Sequence, residues 1–329
     1  MRKSIAIIIT SILVLSGCNK QQSVSDRLLN EVEKAIAINP DSASNLLKSI
    51  SSPEKLDDKA FARWCMLSGK ITDEIFNSIL PTYQLERAYD WYSSHGSPDE
   101  QVQILIYLGR SYFADGDYDK AMSIYTNALD IAEKNKLNNL TGYTYSYIGD
   151  LYGEKFMRTE AIKRYKAAAE CFKKENNTDS YACALRDVGR EYACIDSLSR
   201  ALKILTIADS VARNTKNIEV TASIDNALGN IYAMQNKYDK AEEYFLKALV
   251  GRETMPDYMA LIDLYIASGA INKAQELLSK IPQDNPKYTY SIKYLYYQIY
   301  NEEKNYKEAL TNLKEYVEIT DSIIYADNQ

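Results

Sequence analysis

The chain has 329 residues, 46% hydrophobic and 26% charged, enough to bury a large core, and its length alone suggests about two domains. Only 12 glycines and 7 prolines interrupt it, too few for an all-β protein, while tyrosine is abundant at 28 residues. The net charge of −6 gives it no general attraction to nucleic acid or to anionic lipid.

Residues 1–17 read as a leader. Arg2 and Lys3 precede an apolar run from Ile5 to Leu15, and the small residues Ser16 and Gly17 come just before Cys18. Such a run is too short to cross a bilayer comfortably and fits a secretory signal. The stretch "LSGC" resembles the lipobox of bacterial lipoproteins. That resemblance implies cleavage before Cys18, lipidation of Cys18 (palmitate among its acyl chains), and an extracytoplasmic protein held at the cell or outer membrane, facing the periplasm. Losing the two basic residues of the leader would move the charge from −6 to −8. Residues 18–25 are polar and read as a tether.

Beyond the tether, "DSASNLLKSISSP" looks like the second helix of a degenerate helix pair, with Ala43 and Leu47 on its apolar face. "ARWCMLSGKI" and "YQLERAYDWY" look like a further pair separated by a long loop. From there the chain repeats itself. Gly109, Gly149, Gly189 and Gly229 are 40 residues apart, and each is followed three residues later by Tyr112, Tyr152, Tyr192 or Tyr232. Two alanine columns keep the same register: Ala121, Ala161, Ala201 and Ala241, then Ala128, Ala168, Ala208 and Ala248. Helical spacing around each glycine and each alanine pair predicts two helices per unit, approaching closely where glycine and alanine remove bulk.

These columns resemble the tetratricopeptide repeat, in "LIYLGRSY" with "AMSIYTNAL" and in "DNALGNIY" with "AEEYFLKAL". The leading tryptophan of that pattern is replaced by Leu105, Tyr145, Leu185 and Asp225. Leu205 stands in the aromatic column of the third unit. The period is longer than is usual for that repeat, which implies longer helices. Tyr265, Ala274, Leu278 and Pro282 mark a fifth, looser unit, and Tyr300, Ala309 and Leu313 a sixth. The resemblance implies an all-α solenoid of stacked antiparallel helix pairs, a right-handed superhelix over residues 26–325, clearest at 102–249, with 326–329 as a tail.

Motifs for chemistry are sparse. His95 is the one histidine and is expected in a surface loop. Phosphate loops and hydrolase or metalloprotease signatures do not occur, so the reading is a protein that is not an enzyme and takes no cofactor. "DGDYDKA" at 115–121 imitates the start of a calcium loop. A calcium loop would require glycine at its sixth place and glutamate at its twelfth, where Lys120 and Thr126 stand, so it reads as a bend and no metal is expected. Cys65, Cys171, Cys183 and Cys194 read as small buried hydrophobes, with a Cys171–Cys183 bridge as the alternative. The tyrosines of 288–300 read as packing between helices.

A stripe of each first helix is not used by the repeat pattern. In tetratricopeptide proteins that stripe lines a concave groove, which holds extended peptides. Here it carries Arg110, Asp150, Arg190 and Asn230, with Asp263 and Gln298 in the looser units, and one turn earlier Ile106, Ser146, Arg186 and Asn226. The expected partner site is Arg186, Arg190, Asn226 and Asn230, supported by Arg110, Tyr143 and Asp150. The function expected is a lipid-anchored scaffold for a protein or peptide. The alternative is the extracytoplasmic sensor part of a membrane-anchored signalling protein, suggested by the closing "LKEYVEITDSIIYADNQ". A glycan-capture lipoprotein ranks below both.

Overall fold

A computed structural model describes residues 25–75, 79–252, 254–283 and 288–327. The expected leader, Cys18 and most of the tether lie outside the described residues. The described residues form α1 at 25–36, then α2 Pro40–Lys48, α3 Asp58–Ile75, α4 Thr82–His95, α5 Pro98–Ala114, α6 Tyr118–Lys134, α7 Asn138–Glu154 and α8 Arg158–Lys174. There follow α9 Thr178–Cys194, α10 Leu198–Ala212, α11 Ile218–Met234, α12 Tyr238–Gly251, α13 Met255–Ala267, α14 Ile271–Ser279, α15 Thr289–Glu302 and α16 Tyr306–Asp327. The described residues contain no strand. The fold is all-α, built from tetratricopeptide-type helix pairs.

The residues divide into two compact units, one ending at Phe156 and one beginning at Met157. In each, a helix packs on its successor in sequence, and first helices also touch the next first helix: α3 on α5 and α5 on α7, then α9 on α11, α11 on α13 and α13 on α15. Within each unit, therefore, the first helices share a layer of their own.

The periodicity has a backbone cause. Helices α5 to α9 each run 17 residues. Between helices the chain enters the left-handed region at Gly116, Lys136, Phe156, Asn176, Asp196, Lys216 and Asn236, with φ between 55° and 76°. These positions are evenly spaced, at half the repeat period. Most of the turns close with the 6→1 hydrogen bond that ends a helix in this conformation, as in Asp117 N–H to Tyr112 O at 2.9 Å and Lys237 N–H to Tyr232 O at 2.9 Å. Helix starts are also specified locally. Ser97 and Glu100 form a reciprocal capping box ahead of Pro98, and Asn217 accepts from the Glu219 and Val220 amides to cap α11.

The glycine columns work differently from the expected glycine–alanine approach. Three of these glycines receive a large side chain from the helix that follows: Tyr125 sits against Gly109, Leu205 against Gly189 and Phe245 against Gly229. These three side chains are at most 1% exposed. The alanines flank that contact, also buried. Four of the column tyrosines stand at the flank instead, under a cation eight residues on: Lys120 lies 5.1 Å from the Tyr112 ring, Arg200 5.9 Å from Tyr192, Lys240 5.5 Å from Tyr232 and Lys273 5.0 Å from Tyr265.

The upstream region is more regular than its sequence suggests. Gly69, in α3, stands one full repeat before Gly109, and Leu85 and Ala88, in α4, match the core columns of the later units. Helices α1 and α2 form the degenerate pair, burying Leu29, Val32, Ala43 and Leu47. At the other end, α15 buries Ile292, Leu295 and Ile299, while its tyrosines cover the flanks: Tyr294 touches Tyr297 of the same helix at 5.7 Å and Tyr316 of α16 at 5.2 Å.

The acidic bend is structural. Asp117 caps α6 by accepting from Lys120 N–H at 3.1 Å, Asp119 pairs with Lys155 at 2.7 Å and Asp115 accepts from Thr82. Among the described residues no group of three or more His, Cys, Asp or Glu side chains is placed to hold a metal. Two expectations need correction. His95 is exposed but ends α4 rather than lying in a loop; its ring stacks on Trp91 at 5.0 Å. None of the four described cysteines is in a disulfide, so the Cys171–Cys183 bridge is not formed; Cys171 and Cys183 are only partly buried, and Cys194, the last residue of α9, is exposed.

Candidate functional site

Of the seven expected groove residues, Arg110, Tyr143 and Asp150 belong to the first unit, and Arg186, Arg190, Asn226 and Asn230 to the second.

In the first unit, α3, α5 and α7 enclose a cavity of about 500 Å³. Arg110 and Tyr143 line it, together with Lys70, Asp73, Tyr107 and Tyr147. Its chemistry centres on Asp73, which pairs with Arg110 and accepts the Tyr107 hydroxyl at 3.0 Å. The Arg110 guanidinium lies 5.5 Å from the Tyr147 ring and 5.9 Å from the Tyr107 ring. Burial pushes the Tyr107 phenol well above its usual range, reinforced by the Asp73 carboxylate, so it remains a hydrogen-bond donor. Burial likewise raises Tyr147 to about 12, against the opposing pull of Arg110. Asp150 is half-buried on α7, one turn beyond Tyr147 and outside the cavity wall. The result is an aromatic-walled recess with a charge-paired guanidinium at its base. Tyr143 is the exposed rim, at 38%.

In the second unit, the stripe is present but most of its members bind one another. Arg186 holds Asp187 with two hydrogen bonds of 2.9 and 3.1 Å and donates to Ser223 on α11 at 3.0 Å. Asn226 donates to Asp257 at 2.8 Å, and Asn230 donates to the Asn226 side chain at 3.0 Å. Asp257 is fully buried, and Arg252 clasps it with two bonds of 3.0 Å each. Such pairs satisfy buried charge at the junction of neighbouring first helices. Arg190 is the exception: its side chain is 65% exposed and reaches Asp187 only at 4.0 Å, a contact worth little in water. The stripe therefore offers one outward cation, Arg190, above a rail of paired polar groups.

Lys70, Asp73, Tyr107 and Tyr147 escaped sequence reasoning. The signal for the first two was Gly69, one residue before Lys70, in the column that places Arg110 one residue after Gly109.

Two segments match family models described as tetratricopeptide repeat, residues 100–174 and 221–255. These are tetratricopeptide repeats. No match was found among curated proteins. Among solved structures, a Rap protein complexed with competence and sporulation factor is similar with a TM-score of 0.70 and 18% identity, covering 93% of this chain and 88% of that one. NprR in complex with its cognate peptide NprX gives a TM-score of 0.56 and 14% identity over 92% of this chain and 98% of that one. Aspartyl phosphate phosphatase F from Bacillus subtilis gives 0.61 and 15% over 84% and 75%. At these identities the tetratricopeptide likeness is one of fold.

Proposed function

We propose that this tetratricopeptide protein is a lipid-anchored, extracytoplasmic scaffold that holds an extended peptide or protein segment against first helices of its repeats. The observation that carries the binding part is the cavity of about 500 Å³ walled by the Tyr107, Tyr143 and Tyr147 side chains with Arg110 at its base. Pockets of that size and lining take a side chain or short peptide, with aromatic faces supplying contact area and a few fixed polar groups supplying orientation. Tyr143 would cover the incoming segment and the Arg110–Asp73 pair would meet its backbone. Arg190, in the second unit, offers a cation to acidic side chains. Two of the similar solved structures are complexes, one with competence and sporulation factor and one with a cognate peptide, which agrees with this use of the fold. The anchoring part rests on "LSGC" and the short apolar run before it.

One experiment separates the two parts. A photo-crosslinking amino acid at position 143, in the full-length protein expressed in its own cells, should yield a specific adduct in the membrane fraction. Loss of the adduct on Arg110→Ala with retention of helicity supports the groove. Equal crosslinking from an exposed second-helix position, such as 123, rejects it. Cys18→Ala should release the protein from the membrane fraction, and continued membrane retention would reject the lipid anchor without touching the groove.

A further inference from the structure

A second cavity, of about 470 Å³, lies away from the first-helix stripe, where the turn between α10 and α11 meets α12. Arg213, Ile218, Thr221, Asp225, Leu246 and Val250 line it. The repeat register allows each wall to be compared with its counterparts elsewhere in the same chain.

The floor has lost bulk. Thr221 stands where the preceding repeat has Tyr181, and Asp225 where it has Leu185. Earlier repeats also keep at least one large side chain at this pair of positions, Leu105 in one and Tyr145 in the other. Gly251 replaces Val211 and brings the end of α12 against Ala222, where a methyl would come within 2.9 Å. The rim has changed in the opposite sense. Ile218, Leu246 and Val250 are 60%, 45% and 87% exposed. Their counterparts are Pro98, Asn138 and Thr178; Thr126, Lys166 and Thr206; and Asp130, Glu170 and Ser210. Aliphatic side chains facing water on a helix gain nothing for folding. An emptied floor beneath a greased rim is what a guest side chain needs.

Charge narrows the guest. Arg213 holds Asp225 at 2.6 Å and Asp209 at 2.9 Å, and Lys247 holds Glu243 at 2.6 Å, so the cations are already paired. A neutral guest suits the cavity better than an ion. Two counterparts show which neutral group fits. Tyr145, in the column of Asp225, donates its hydroxyl to Glu133, in the column of Arg213, at 2.6 Å. Lys173, also in the Arg213 column, lies 5.9 Å from the Tyr181 ring. In two repeats a tyrosine of the chain itself sits against this charged position.

We propose that the cavity receives a tyrosine side chain presented by a partner peptide. Its ring packs on Leu246 and Val250, and its hydroxyl donates to Asp225 below Arg213. The site is independent of the first-helix groove.

The test titrates the full chain, with labelled Ile, Leu and Val methyls, against N-acetyltyrosinamide and N-acetylphenylalaninamide. The tyrosine probe should shift the methyls of Ile218, Leu246 and Val250 and bind about tenfold more tightly than the phenylalanine probe, the worth of one hydrogen bond to a carboxylate. Thr221→Tyr with Asp225→Leu restores the preceding repeat's pair and should abolish binding while raising the melting temperature. Val250→Glu, at a surface position that cannot disturb the core, should weaken binding on its own. Methyl shifts located elsewhere, equal affinity for both probes, or unchanged binding by Val250→Glu would overturn the proposal. So would a concentration-dependent dimer that the double substitution dissociates, because the guest would then come from a second copy.

Discussion

Gly229→Ala tests the contact on which the regular repeats depend. The added methyl would stand 2.6 Å from Cδ1 and Cε1 of Phe245 and 3.1 Å from Cγ. Ordinary carbon contacts begin at about 3.5 Å, so ring and helix must separate by about an ångström. Phe245 is 1% exposed, between the fully buried Ala241 and Ala248, which leaves the ring no free volume to enter. Overpacking of this kind costs about 1–3 kcal/mol, and replacing a mid-helix glycine by alanine returns at most about 1 kcal/mol of helix propensity. The net expectation is a loss of up to about 2 kcal/mol, read from urea unfolding followed by circular dichroism. The decisive measurement is the double-mutant cycle with Phe245→Ala. That substitution alone should cost about 3–5 kcal/mol. With the ring removed, Gly229→Ala should become neutral or stabilising. If its cost is the same in both backgrounds, the ring is not what excludes the methyl, and the account of the glycine column fails.

Three further outcomes follow from other parts of the structure. Lys136→Gly, at an exposed position with φ of 58°, should stabilise the protein by about 0.5–1 kcal/mol by removing a left-handed strain, seen as a higher melting temperature; a lower one would refute it. Burial pushes the Asp225 carboxyl up to about 6 from the ordinary 3.8, against the pull of Arg213 and, more weakly, Lys247, with Asp209 adding to the rise. A folded value above the unfolded one means this group's contribution is most favourable below its ordinary value and is lost as pH rises toward the folded one. Asp225→Asn should therefore match the native protein near pH 4 and exceed it in stability at pH 7 by up to about 3 kcal/mol; a gap that does not widen over that range would refute it. Finally, exposed Cys194 should react quickly with a thiol reagent in the native state, while Cys65, buried and raised to about 12, should react only on unfolding; equal rates would contradict the packing around α3 and α4.

The helix pairs of α5 to α12 were legible because each places a glycine, a tyrosine and two alanines at one spacing, and sterics leave few alternatives at those positions. The pair α3–α4 carries the same register through Gly69, Leu85 and Ala88. It was obscured because Thr72 stands in the tyrosine column and Pro81 in the first alanine column. The polar stripe was also readable, as a set of positions one residue beyond each glycine. What those residues do was not. Arg186 is tied to its neighbour Asp187, and Asn226 to Asp257 on the next first helix, through rotamers and interhelix spacing that no periodicity encodes. The second cavity was hidden for a related reason. Asp225 was visible as a departure from the repeat, but its meaning depends on the simultaneous change at Thr221, Leu246 and Val250.

The left-handed turns recur at one fixed interval from Gly116 to Asn236, which makes the middle of the chain a ruled tape. A segment of two intervals, cut at any of these marks, returns every core, groove and flank position to its own kind. A cut of one interval exchanges first helices for second ones, and most other lengths set groove residues in the core. Lengthening or shortening by duplication is therefore open to this protein in whole modules. Within a module, single substitutions are free to turn one copy, as around Asp225, to a purpose the others do not share.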